Sequence, residues 1–171
     1  MPQPFKQPPR ELDRDAFVAR FADVYEHSPW IAEVVFEAGL TARHDRPSGL
    51  HEAMKAVVES AGRDRQLALL RAHPDLAERV AVAGELSRQS TSEQAGAGLD
   101  RCTAEEAARF TALNGAYNAK FGFPFIIAVK GKDRHQILSA FETRSAYDAA
   151  SEFRTNLDEV HKIALFRLRE L

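Results

Sequence analysis

Residues 103–129 read TAEEAARFTALNGAYNAKFGFPFIIAV, and this stretch contains the start, the end and the interruption of a helical pattern. Thr103 and Glu106 have the spacing of a capping box, in which each side chain accepts a hydrogen bond from the other residue's backbone amide. Gly122 can adopt the left-handed conformation that ends a helix. We therefore expect a long helix that runs to about Phe121.

The run from Phe123 to Val129 does not fit a helix. It is short, apolar and rich in β-branched residues, and glycines bound it on both sides. Such a run is typical of an extended, buried segment. Its role stays open between a simple core segment and a backbone that binds a ligand, and we expect both to hold, with side chains in the core and some amides facing a ligand.

Outside this run, apolar residues recur at helical spacing, and capping residues, prolines and glycines divide the pattern into short helices. The expected helices are a first one capped by Asp13, a second from Ser28-Pro29 to Gly39, a third from Gly49 to Gly62, a fourth from Arg63 to Ala72, one from Asp75 to Leu86, one from Asp133 to Arg144 and a last one capped by Ser151. His73-Pro74 should break the chain between two helices, because a residue before proline avoids helical geometry.

The chain has 171 residues, of which 44% are hydrophobic, and this is enough to bury one core. We expect an all-α, single-domain bundle of short helices with one short extended apolar segment. Residues 1–12 are proline-rich and are predicted to form a flexible arm, while residues 13–171 form the helical domain.

The composition also argues against several classes of function. The formal net charge of −2 lacks the positive excess that nucleic-acid binding requires. Cys102 is the only cysteine, which excludes an internal disulfide framework and favours a reducing, cytoplasmic setting. No stretch has the length and apolarity of a membrane span. The six histidines do not pair at metal-ligand spacing with a carboxylate or thiol, so we expect no metal site.

Two candidate catalytic residues each allow a structural alternative. His73 lies at a helix break, where its imidazole could exchange a proton near neutral pH, or could simply bond to a neighbouring carbonyl. Glu93 could face a pocket together with Gln94 and bind a polar, nitrogen-rich ligand. Its spacing from Ser90 is equally that of a helix cap.

Arg167 is the third candidate, because it interrupts an apolar stripe on the last helix. The stripe follows steps of three and four residues through Phe153, Leu157, Val160, Ala164, Arg167 and Leu171. An arginine in this position needs a partner. Its guanidinium could extend to the edge and bond helix-end carbonyls, or it could grip a planar anion in a cavity.

Three ordered motifs together resemble the OHCU decarboxylase family, whose substrate is 2-oxo-4-hydroxy-4-carboxy-5-ureidoimidazoline. They are Ala72-His73-Pro74-Asp75-Leu76-Ala77, Ser90-x-x-Glu93-Gln94-Ala95-Gly96, and Leu113-Asn114-x-x-Tyr117-x-x-Lys120-Phe121-Gly122-Phe123-Pro124-Phe125-Ile126. The resemblance extends through Val129-Lys130-Gly131 to the closing Val160-x-x-Ile163-Ala164-x-x-Arg167-Leu168. It covers nearly the whole chain after the proline-rich arm.

The resemblance implies an all-helical, cofactor-free decarboxylase that releases (S)-allantoin and is a homodimer. It assigns the proton donor to His73, the substrate-orienting glutamate to Glu93 and the family's arginine to Arg167. The implied substrate-lining residues are Pro74, Ser90, Thr91, Ser92, Gln94, Phe125, Ile126, Ile127, Ala128 and Val129.

The resemblance further implies a small-molecule substrate, a cytoplasmic location and no partner domain for another step of urate breakdown. Two alternatives stay open. The chain could be a helical scaffold in which His73, Glu93 and Arg167 are all structural, or a paralogue that acts on a related ureido or hydantoin acid.

Overall fold

The computed structural model describes residues 3–76 and 102–171, and within them every regular element is helical. The α-helices are α1 (Arg14–Phe21), α2 (Pro29–Glu37), α3 (Pro47–Ser60), α4 (Arg63–Ala72), α5 (Ala104–Phe121), α6 (Arg134–Arg144) and α7 (Ala149–Glu170). Short 3-10 turns span Pro9–Glu11 and Ala42–Asp45. The all-α prediction is confirmed for the described part of the chain.

Local capping explains most of the helix ends. The Asp13 side chain accepts a hydrogen bond from the amide of Ala16, as predicted. The capping box of Thr103 and Glu106 is formed at the start of α5, and Gly122 ends that helix with a φ of 75°. Asp133 caps α6 in the same way. These ends were predictable because each one depends on residues only a few positions apart.

Two predicted helix starts differ from the structure. Helix α3 begins at Pro47 rather than Gly49, because the fixed φ of proline suits the first helical position. Helix α7 begins at Ala149, and its cap is Asp148 rather than Ser151: the Asp148 carboxylate accepts hydrogen bonds from both the amide and the hydroxyl of Ser151. The predicted helix from Asp75 to Leu86 lies outside the described residues beyond Leu76.

The contacts divide the chain into two compact units. The first unit comprises Met1–Ala72 and Val160–Leu171, and the second comprises His73–Glu159. Helix α7 therefore contributes its first half to the second unit and its second half to the first unit. In the part of the chain that the structure describes, no helix has the length and apolarity needed to cross a membrane.

The N-terminal residues belong to the first unit. Phe5 is buried and contacts the Phe21 ring edge-on at 5.5 Å. Its amide donates to the carbonyl of Asp45, and the Asp45 carboxylate pairs with Arg10. The predicted flexibility of the arm at residues 1–12 stays a prediction, although Phe5 and Arg10 contact other residues of the first unit.

A buried polar cluster lies inside the first unit around His161. Its Nδ1 lies 2.9 Å from the hydroxyl of Tyr25, and its Nε2 lies 3.0 Å from the carboxylate of Glu59. Burial lowers the pKa of His161 to about 4, although the nearby Glu59 carboxylate opposes this shift. A neutral ring fits both contacts, with the Tyr25 hydroxyl donating to Nδ1 and the Nε2 hydrogen donating to Glu59.

This cluster makes folding stability depend on pH. The unfolded chain binds a proton at His161 near pH 6.5, whereas the folded chain does so only near pH 4. Stability should therefore fall as the pH drops through this window, with a slope approaching ~1.4 kcal/mol per pH unit from this residue. Urea denaturation at several pH values should show a shallower dependence for His161→Gln, whereas His135→Gln, an exposed control, should retain the full slope. Identical pH profiles for wild type and His161→Gln would contradict the assignment.

Two helical glycines give a matched test of packing. A Cβ at Gly49 would lie 2.0 Å from the carbonyl oxygen of Arg43, while a Cβ at Gly115 would meet nothing within 4 Å. We expect Gly49→Ala to lower the free energy of unfolding by more than ~3 kcal/mol, because the backbone at Arg43 must move to make room for the new methyl group. Gly115→Ala should gain roughly 0.5–1 kcal/mol, because alanine favours the helix. Thermal and urea denaturation measure both changes, and a tolerated Gly49→Ala would contradict this packing.

Candidate active site

The turn after α4 places His73 in a small cavity. Helix α4 ends at Ala72, and Pro74 disfavours helical geometry at His73. The His73 side chain is buried, with 4% of its surface exposed. The cavity has a volume of about 10 Å³, which is room for roughly one water molecule. The described residues that line it are His73, Pro74, Leu76, Phe125, Ile126 and Ile127.

The structure therefore brings two of the predicted segments together within the second unit. The run from Phe123 to Val129 is buried throughout and is neither helix nor strand. The Phe125 ring stacks on Phe141 with a centroid distance of 3.9 Å and meets the edge of Tyr117. Phe125, Ile126 and Ile127 of this run thus pack in the core and also line the cavity.

The backbone amides of this run alternate in their bonding. The amide of Ile126 donates to Asn156 Oδ1 at 2.9 Å, and the amide of Ala128 donates to Glu159 Oε2 at 2.7 Å. Within residues 3–76 and 102–171, the amide of Ile127 makes no hydrogen bond. Because successive amides of an extended chain face opposite sides, the Ile127 amide is directed away from the first half of α7.

A buried arginine from α6 holds the same backbone from the α7 side. Arg144 Nη1 donates to the carbonyl of Ile126 at 2.7 Å, and Nη2 donates to Asn156 Oδ1 at 2.7 Å. Its Nε donates to the carboxylate of Glu152, which has no exposed surface. The guanidinium also lies 4.3 Å from the centroid of the Phe125 ring. All of its polar groups thus point at partners inside the second unit.

Tyr117 completes this network from α5. Its hydroxyl donates to Glu152 Oε1 at 2.7 Å and accepts from Asn156 Nδ2 at 3.1 Å. Asn156 Nδ2 also donates to the carbonyl of Pro124. Burial, together with the bond to the Glu152 carboxylate, raises the pKa of Tyr117, so this hydroxyl stays protonated. We call Tyr117, Arg144, Glu152 and Asn156 the clamp.

The clamp was missed by the sequence analysis, apart from Tyr117, which belongs to a quoted motif. The available signal was a polar stripe on α7. Glu152, Asn156 and Glu159 follow steps of four and three residues, directly beside the apolar stripe, and all three are buried. Polar residues at helical spacing within a buried face indicate a shared set of internal partners.

Arg167 lies in the first unit, where it is partly buried. Its Nη2 donates to Glu26 Oε1 at 2.6 Å, and its Nη1 donates to the carbonyls of Asp23 and Val24. The Arg167 guanidinium, which lies on the apolar stripe of α7, thus has a carboxylate and two carbonyls of the protein as partners. Its assignment to the substrate stays a prediction.

The remaining predicted site residues have different positions. Ala128 and Val129 are buried and continue the chain after Ile127. The predicted residues Ser90, Thr91, Ser92, Glu93 and Gln94 lie outside the described residues. Among the described residues, no group of three or more histidine, cysteine or acidic side chains could hold a metal ion.

Comparisons with known proteins agree with one another. A family model described as OHCU decarboxylase matches residues 10–169. A 2-oxo-4-hydroxy-4-carboxy-5-ureidoimidazoline decarboxylase of Haloferax volcanii is 47% identical over 163 residues, covering 93% of this chain and 90% of the relative. A protein of the same name from Halalkalicoccus jeotgali is 44% identical over 161 residues, covering 94% of this chain and 88% of the relative.

A solved structure is similar as well. A crystal structure of (S)-allantoin synthase matches with a TM-score of 0.75 and 32% identity, covering 95% of this chain and 51% of that chain. The present chain therefore spans about half the length of that protein.

The alternating amides give a direct prediction for hydrogen exchange. Ile126 and Ile127 are adjacent and similarly buried, at 4% and 5% exposure, but within the described ranges only the amide of Ile126 finds a hydrogen-bond partner. We expect the Ile127 amide to exchange at least tenfold faster, because opening it breaks no hydrogen bond. Exchange followed by NMR at neutral pH measures both, with Ala128 as a bonded control. Equal protection of Ile126 and Ile127 would contradict the alternation.

Proposed function

This chain belongs to the OHCU decarboxylase family, and we propose that it decarboxylates 2-oxo-4-hydroxy-4-carboxy-5-ureidoimidazoline to (S)-allantoin with His73 as proton donor and without a cofactor. The observation that carries this proposal is that buried His73 and the residues Phe125, Ile126 and Ile127 line one cavity. A proton donor and a hydrogen-bond donor on one cavity are the groups that this reaction needs.

The chemistry requires little beyond these groups. Cleavage of the bond between the ring carbon and the carboxylate releases carbon dioxide and leaves an electron pair on that carbon. The neighbouring carbon–nitrogen double bond takes up the pair, which leaves an enol. A proton then adds to the adjacent, ureido-bearing carbon, while the hydroxyl on the original carbon loses its proton and becomes a ring carbonyl of allantoin. The protein must orient the carboxylate, stabilise the growing charge and deliver the proton to one face only.

We assign the proton transfer to His73, because an imidazole can both hold and release a proton and is the side chain used most often as a general acid or base. Its delivery from one side of the cavity would produce a single enantiomer. The Ile127 amide is suited to bond a ring carbonyl or nitrogen as charge develops there. The apolar side chains of Leu76, Phe125 and Ile126 line the same cavity and favour exclusion of water.

Glu93 and Arg167 complete the proposed machinery. Glu93, with Ser90, Thr91, Ser92 and Gln94, would orient the polar ureido end of the substrate through hydrogen bonds. Arg167 would contribute a guanidinium fork to an anionic or carbonyl group. Because its Nη2 already contacts Glu26, this role requires the guanidinium to share its donors between Glu26 and the substrate.

The cavity beside His73 is much smaller than the proposed substrate. A volume of about 10 Å³ holds one water molecule, whereas a ring with carboxyl and ureido substituents is many times larger. Ligand pockets for small molecules are usually about 300 Å³ or more. We therefore expect the substrate site to extend beyond this cavity.

We further propose that the protein is a cytoplasmic homodimer that binds no nucleic acid. The family resemblance supports the dimer, the single free cysteine suits a reducing compartment, and the net charge of −2 disfavours a phosphate backbone. Sedimentation equilibrium gives the mass in solution, and a monomer at micromolar concentration would contradict the proposed dimer.

The central test replaces His73 and follows product handedness. The substrate is generated enzymatically from urate, and allantoin is followed by circular dichroism, which reports excess of one enantiomer over spontaneous decay. We expect wild type to accelerate (S)-allantoin formation. The rate of His73→Asn should be lower by roughly 10²–10⁴-fold, because a well-positioned general acid usually accelerates a reaction by that factor.

His135→Asn is the matched control, because His135 is exposed on α6 and should retain the full rate. A folded His73→Asn variant with wild-type rate would remove His73 from the mechanism. Folded wild type without acceleration would overturn the function itself and favour a scaffold or an altered substrate.

A further inference from the structure

The backbone of the cavity-lining run is held by hydrogen bonds from side chains of the clamp, and not by the backbone hydrogen bonds of a helix or a sheet. We propose that Arg144 and Asn156, supported by Tyr117 and Glu152, are positioning residues that orient the Ile127 and Phe125 amides toward the substrate. This inference rests on the proposed function, and it assigns the clamp a role in the reaction beyond packing.

The geometry of the peptide group carries the argument. In a trans peptide the carbonyl of one residue and the amide of the next lie in one plane and point in opposite directions. Arg144 Nη1 holds the carbonyl of Ile126 at 2.7 Å, so it also sets the direction of the Ile127 amide. The described backbone contains no cis peptide bond. The Ile127 amide must therefore point away from Arg144.

Asn156 acts in the same way one step earlier in the chain. Its Nδ2 donates to the carbonyl of Pro124 at 3.1 Å, which directs the Phe125 amide to the opposite side. Its Oδ1 also accepts from the amide of Ile126, so the intervening residue is held at both ends. Among the described residues, the amides of Phe125 and Ile127 form no hydrogen bond, and both residues line the cavity.

The charge distribution of the clamp indicates a purpose other than stability. Arg144 and Glu152 are 8% and 0% exposed, so this ion pair is formed away from water. Buried ion pairs are often no more stabilising than apolar residues of similar size. A guanidinium is nevertheless well suited to the task, because its rigid plane can hold a carbonyl, a carboxylate and an amide oxygen at fixed angles.

Tyr117 and Glu152, the other two residues of the clamp, hold Arg144 and Asn156 in place. The Tyr117 hydroxyl bonds to both Glu152 and Asn156, and Glu152 in turn balances the charge of Arg144. Removal of this hydroxyl leaves every orienting bond to the backbone possible but less well defined. Tyr117→Phe is therefore a mild probe of positioning, whereas Arg144→Met removes the bond to Ile126 outright.

The chain offers a matched control for this probe. Tyr25→Phe also removes a buried hydroxyl, which bonds to His161 in the first unit and not to the clamp. Both tyrosines are 1% exposed, so the two substitutions disturb comparable environments. We expect both variants to lose stability, and only Tyr117→Phe to lose activity per folded molecule.

The experiment measures kcat and KM for (S)-allantoin formation, normalised to the folded fraction from denaturation curves. We expect Tyr117→Phe to lower kcat about tenfold, since a misaligned amide forfeits part of its stabilisation of developing charge. Arg144→Lys should fall between wild type and Arg144→Met, because lysine retains one donor. The NMR signal of the Ile127 amide should shift or broaden in each clamp variant and remain unchanged in Tyr25→Phe.

The possible outcomes separate the two claims. If wild type is active and the clamp variants lose only stability, with kcat, KM and the Ile127 signal unchanged, the positioning inference is overturned and the proposed function stands. If wild type itself does not accelerate the reaction, the proposed function is overturned and this inference falls with it. A graded loss of kcat from wild type through Arg144→Lys to Arg144→Met supports it.

Discussion

The hydrogen bond from Arg144 to the carbonyl of Ile126 is the constraint on which the candidate site depends. It fixes one peptide plane in a segment that has no helix or sheet of its own. The buried charge that makes this bond strong also requires Glu152 as its counterion, and the remaining donors and acceptors require Asn156 and Tyr117. A buried network of this kind must be fully satisfied, because each unpaired member would be costly.

The two units use buried polar groups differently. In the first unit, His161 bonds chiefly to other side chains, and its low pKa links this core to pH. In the second unit, side chains of α6 and α7 replace the backbone partners that the Phe123–Val129 run lacks. In the part of the chain that the structure describes, this arrangement leaves the amides of Phe125 and Ile127 without hydrogen-bond partners, which a simple core segment would not tolerate well. The distinction favours a binding role for the second set.

The predictions from sequence were correct for features that depend on residues close together in the chain. The ends of α1, α5 and α6 follow from caps within four residues, and the turn at His73 follows from the proline after it. The predictions failed where partners are distant in the chain: Glu26 and Arg167 are 141 residues apart, and no periodicity joins Arg144 to Ile126. At the start of α7, both Asp148 and Ser151 are suitable capping residues. The structure uses Asp148, whose carboxylate accepts hydrogen bonds from the amide and the hydroxyl of Ser151.

The most direct test of the account is a titration of (S)-allantoin into ¹⁵N-labelled wild-type protein, followed by amide chemical shifts. We expect the amide signals of Ile127 and Phe125 to show the largest downfield changes in chemical shift, because these amides gain a hydrogen bond to the ligand. Ile126 and Ala128, whose amides already bond to Asn156 and Glu159, should shift much less. Saturable binding that leaves Ile127 and Phe125 unchanged would contradict the claim that this backbone recognises the ligand.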